Sequence, residues 1–99
     1  MSDKYVLQGH QVVPEGDLLK WARRLETAER IVARDEVGEV TVSSVFLGLD
    51  YNFSSISPPL LFETMVFGGS LDGEQERYPT WEEAEAGHAR WVEKVRGNH

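Results

Sequence analysis

A chain of 99 residues has room for one modest core, which excludes a multidomain enzyme and predicts a single domain over residues 1–99. The absence of cysteine removes disulfides, thiolate nucleophiles and cysteine-held metal centres. A formal net charge of −7 disfavours direct binding to a nucleic-acid backbone and favours basic partners.

The opening, Met1-Ser2-Asp3-Lys4-Tyr5, has neither the basic region nor the apolar stretch of a signal peptide, and the longest apolar run, residues 45–49, is far too short to span a bilayer. A cytoplasmic protein without membrane contact is expected. Residues 4–13 alternate loosely and stop at Pro14-Glu15-Gly16-Asp17, predicting one short edge strand. Leu18, Trp21, Ala22, Leu25, Ala28, Ile31 and Val32 then recur at helical spacing, predicting a helix capped by Asp17 and fraying near Arg34, with Glu26 four residues before Arg30.

Residues 39–53 change period, from alternation into the continuous run Val45-Phe46-Leu47-Gly48-Leu49, which suits a central strand buried on both faces. Pro58-Pro59 closes a loop, residues 60–67 read as a second apolar strand, and Asp72-Gly73 favours a tight turn returning a short polar edge strand at 74–78. Thr80-Trp81-Glu82-Glu83 is a capping box that starts a final helix, with Trp81, Ala84, His88, Trp91, Val92 and Val95 inward and Gly97 at its end. The predicted fold is α+β in the order β-α-β-β-β-α, two helices packed on a mostly antiparallel three- to four-stranded sheet.

Charge is unevenly distributed. Residues 17–34 carry five bases against three acids, whereas residues 72–85 hold Asp72, Glu74, Glu76, Glu82, Glu83 and Glu85 against Arg77 alone. Such polarity invites head-to-tail contact between subunits or two separate binding faces, and a homo-oligomer is expected.

No arrangement announces catalysis. Glu85 and His88 have the spacing of a carboxylate–imidazole metal pair but lack a second copy, so no metal and no cofactor is expected. None of the serines, Ser44 included, sits in a nucleophile elbow, which predicts no triad. Glu63 and Asp50, set among apolar neighbours, are the acid–base candidates for a small hydrolase; Glu63 equally suits a solvent-facing strand position or an arginine partner. A ligand site is better placed at Asp50, Tyr51, Asn52 and Phe53 after the central strand, together with Arg77, Tyr78, Trp81 and His88 near the last helix. There, aromatic faces would stack on a base and Arg77 would neutralise phosphate.

The run Val45-Phe46-Leu47-Gly48-Leu49-Asp50, continued by Pro58-Pro59-Leu60-Leu61-Phe62-Glu63-Thr64-Met65 and by Arg77-Tyr78-Pro79-Thr80-Trp81-Glu82-Glu83-Ala84, resembles a family of small proteins from bacteriophages and prophages. The likeness spans roughly the last 60 residues and extends loosely to the helix with Trp21 and Ala22. The chain departs from that pattern at Tyr51, where the family often has histidine, and at Ser54-Ser55-Ile56-Ser57, where it often has a glycine-rich loop. The resemblance implies a phage setting and argues against a metal or catalytic role at position 51.

A phage accessory protein of this composition is expected to be a non-enzymatic counter-defence protein in the host cytoplasm, sequestering an immune nucleotide signal or blocking a host defence protein. In the second reading Asp72, Glu74, Glu76, Glu82, Glu83 and Glu85 imitate a nucleic-acid backbone against a nuclease complex, as anti-CRISPR proteins do. The third reading is the hydrolase using Glu63 or Asp50.

Overall fold

The computed structural model describes residues 4–27, 29–50 and 58–97. Eight elements follow in order: β1 (Tyr5–Gln8), β2 (Gln11–Pro14), α1 (Leu18–Thr27), β3 (Ile31–Val37), β4 (Val40–Phe46), β5 (Phe62–Phe67), β6 (Gln75–Tyr78) and α2 (Trp81–Arg96). The α+β class is as expected, but the strands form two antiparallel sheets: a β1-β2 hairpin and a four-stranded meander, β3-β4-β5-β6.

The first correction concerns residues 4–13, which form a hairpin rather than one strand, with Gln8 paired to Gln11 across a Gly9-His10 loop. The second concerns the first helix, which ends at Thr27 instead of running toward Arg34. Ile31 and Val32 continue the helical spacing, yet both are β-branched, and Ile31 pairs with Val45 while Asp35 pairs with Val42. Ladder pairing with an inner strand outweighs a weak helical preference here. Gly38, at φ +62°, allows the two-residue loop that joins β3 to β4.

The helices do not share one sheet. Asp17 caps α1, accepting from the Leu19 and Lys20 amides at 3.0 Å. α1 lies against β1 and is held by Trp21 Nε1 donating to the Gly48 carbonyl and by Arg24 donating to the Leu7 carbonyl, each at 3.0 Å. α2 alone covers the meander. Its N-cap is the expected Thr80, whose hydroxyl accepts from the Glu83 amide at 3.1 Å; the Glu83 carboxylate takes the Thr80 hydroxyl at 3.2 Å.

β4 is an inner strand, as expected, but it stops at Phe46 and is fully buried on one face only. Val42, Ser44 and Phe46 are covered by α2, while Thr41, Ser43 and Val45 on the other face are half-buried. The core has two parts. Phe46, Leu61, Phe62, Tyr78 and Ala84 pack beneath the start of α2 and receive the hairpin residues Tyr5, Leu7 and Val12, whereas Val42, Val66, Val92 and Val95 pack beneath its end. Each large side chain so buried contributes about 1.5–3 kcal/mol of transfer free energy. Among the described residues, no helix is long and apolar enough to cross a membrane.

Candidate functional site

The inner face of the sheet carries polar residues where alternation alone would place apolar ones. Ser44 on β4 and Thr64 on β5 are cross-strand partners, both fully buried, with their hydroxyl oxygens 2.5 Å apart. His88 projects from the inner stripe of α2 onto this pair, its Nδ1 2.7 Å from Ser44 Oγ. Its other nitrogen, Nε2, lies 2.8 Å from Asp35 Oδ2 on β3. With an ionised Asp35 and a neutral ring, the carboxylate can only accept, so Nε2 carries the hydrogen and Nδ1 accepts from Ser44. The Ser44 oxygen then accepts from Thr64.

This assembles an aspartate, a histidine and a serine, a constellation that the sequence reading did not foresee. Its chemistry is limited by access. Ser44 is fully buried and His88 is 4% exposed. A nucleophile must reach substrate, so in this conformation the arrangement fastens α2 to β3, β4 and β5 instead of attacking a bound molecule. Every nitrogen of His88 is engaged, which is what makes its burial tolerable. Glu85, one turn earlier, is exposed, so the two members of the metal-like pair face different environments.

The expected ligand cluster is divided. Tyr51, Asn52 and Phe53 lie outside the described residues, while Asp50 Oδ1 accepts from the Leu60 amide at 3.3 Å. Arg77 Nε donates to Glu63 Oε2 at 2.9 Å, the two being cross-strand partners on the sheet face away from α2. The arginine partner expected for Glu63 is therefore its β6 neighbour. Tyr78, next to Arg77, points the other way into the core; its hydroxyl donates to Glu76 at 3.0 Å and burial raises its pKa above 10.0.

Trp81 stays near the surface at the start of α2. His10, from the tip of the β1-β2 hairpin, stacks on it with ring centroids 3.9 Å apart and planes 8° from parallel. Trp81 Nε1 is buried without a hydrogen-bond partner. Arg77, Tyr78, Trp81 and His88 therefore do not converge on one cavity. His10 was missed because it is distant in sequence, and Asp35 because its segment reads as the tail of a helix.

The acidic residues behave as a surface. Asp72, Glu74, Glu76, Glu82, Glu83 and Glu85 are all exposed. Asp72 accepts from the Gly68 amide, and Glu76 takes Tyr78, Trp91 Nε1 and, at 3.8 Å, Arg90. Among the described residues, the carboxylates of Glu74, Glu82 and Glu85 make no ion pair or hydrogen bond. No family model, curated protein or solved structure matches the chain.

Proposed function

We propose that this chain is a non-enzymatic binding protein of the phage counter-defence kind, acting in the host cytoplasm. Its acidic strip, Asp72, Glu74, Glu76, Glu82, Glu83 and Glu85, occupies a basic nucleic-acid-binding surface on a host defence nuclease. The observation that carries the reading is the exposure of these carboxylates, with Glu74, Glu82 and Glu85 unneutralised, while Arg77, Tyr78 and His88 are committed to partners within the fold. Uncompensated like charge along a surface strengthens the local field and speeds encounter with a surface of opposite sign. The likeness to phage and prophage proteins supplies the setting.

The test uses a phage restricted by an RNA-guided nuclease and plated on cells expressing this chain. Wild-type protein should restore plaques, and the combined Glu74→Gln, Glu82→Gln, Glu85→Gln variant should not. Equal plaque counts for the two proteins would remove the acidic strip from the mechanism.

A second reading, sequestration of a nucleotide signal, draws on the His10–Trp81 stack, whose spacing is that of a base on an indole ring. Incubation with extract from infected, defence-active cells, followed by heat release and mass spectrometry, should then yield an intact nucleotide in stoichiometric amount. An empty protein would leave the acidic strip as the working surface.

A further inference from the structure

The molecule measures 45 × 31 × 20 Å, and its two ends differ in character. At one end, the β3-β4 turn, the β5-β6 connection and the last turn of α2 enclose a groove of about 240 Å³ lined by Val37, Val40, Gly69, Leu71 and Val95. A neighbouring groove shares Val37, Val40 and Gly69 and adds Glu39. Glu39 is exposed and its carboxylate has no ion-pair partner among the described residues. Arg96, the base beside Val95, is already held by Glu93 at 3.0 Å. The result is an apolar slot with an uncompensated negative rim.

At the other end stands α1. Leu18 and Leu19 are 61% and 74% exposed, an unusual placement for two adjacent leucines. Lys20 follows them, exposed and without an ion pair among the described residues. α1 is anchored at Gly48, just beyond the Phe46 end of β4, whereas Val40 at the opposite end of β4 lines the groove. Seven residues of strand separate the two by roughly 20 Å.

We propose that α1 of one copy of this chain docks into the groove of a second copy, with Leu18 and Leu19 against Val37, Val40, Leu71 and Val95 and Lys20 facing Glu39. The complementarity is both apolar and electrostatic, and donor and acceptor lie too far apart for one chain to satisfy itself. The contact is heterologous, so it propagates head to tail into a ring or an open chain. A 99-residue chain with a divided core gains the burial that it lacks alone. This assembly stands apart from the counter-defence reading, since neither Glu39 nor α1 belongs to the acidic strip.

Sedimentation velocity tests it. Wild-type protein should exceed the 11.2 kDa chain mass increasingly with concentration. Leu19→Glu, which disables the docking helix, and Glu39→Lys, which sets two ammonium groups against each other, should each weaken association at least about tenfold. Both positions are exposed, and unchanged circular dichroism would confirm the fold of each variant. The decisive sample is their mixture. Glu39→Lys retains a working α1 and Leu19→Glu a working groove, so together they should form a capped species of twice the chain mass. The charge swap Lys20→Glu with Glu39→Lys in one chain should restore assembly. A wild-type protein that stays at the chain mass throughout, variants that assemble like wild type, or a mixture that yields no dimer would overturn the proposal.

Discussion

His88 ties α2 to β3 and β4 through two contacts of 2.7 and 2.8 Å, and Ser44 extends the link to Thr64 on β5, so the value of these neighbours lies in what they leave behind when removed. Replacing Ser44 with alanine orphans a buried imidazole nitrogen, and should cost about 1–3 kcal/mol in urea unfolding. The same substitution should leave the proposed binding to a host defence nuclease unchanged per folded molecule. Loss of activity at full stability would instead identify Ser44 as a group that meets substrate. Tyr78 gives a pH signature. Its folded-state pKa is raised, chiefly by burial, so the stability it adds is complete below about pH 10, where the unfolded tyrosine begins to ionise, and is lost as pH rises through the folded value. The advantage of wild type over Tyr78→Phe in urea midpoints should therefore narrow as pH rises above about 10; a gap constant with pH would contradict this. The acids of residues 72–85 could be read from charge pattern alone, and so could an arginine partner for Glu63, but not that this arginine is Arg77, which the sequence set against Glu74 and Glu76. The Asp35–His88–Ser44 set could not, because it joins residues up to 53 positions apart through a strand that carries a helical signature.

At the level of elements, α2 was legible because its signals agree: the Thr80 cap, acids in the first turn, bases in the last and an apolar stripe between them. Gly87 shows what that stripe requires. A Cβ built there would lie 2.3 Å from the Tyr78 ring. Alanine normally stabilises a helix by about 1 kcal/mol over glycine, but overpacking a core costs about 1–3 kcal/mol and here would also disturb the Tyr78–Glu76 hydrogen bond. Gly87→Ala should accordingly lower the urea midpoint, and a more stable variant would show that the ring yields. α1 and β3 were misread together because Leu18, Trp21, Leu25, Ile31 and Val32 fit one helical stripe, whereas the pairing of Ile31 with Val45 is a long-range fact that no local period encodes. The β1-β2 hairpin was missed for a related reason. Its loop is only Gly9-His10, and each strand spans four residues, too few to show alternation.

For the whole molecule, the charge asymmetry read from the sequence set residues 17–34 against residues 72–85, whereas the two ends the structure shows are α1 and a groove beside Glu39. An exposed Leu18-Leu19-Lys20 helix stands at one, an apolar groove beside Glu39 at the other, and the acidic residues of β6 and α2 remain as a separate surface. The most direct test of the acidic strip is displacement of labelled target DNA from an RNA-guided nuclease complex by this chain, repeated across a range of salt concentrations. Exposed charges interact over about 10 Å at 0.1 M salt and about 3 Å at 1 M. Wild-type protein should displace DNA strongly at low salt and progressively less as salt rises, and the Glu74→Gln, Glu82→Gln, Glu85→Gln variant should be weak throughout. Displacement that is indifferent to salt, or equal for the two proteins, would contradict the account.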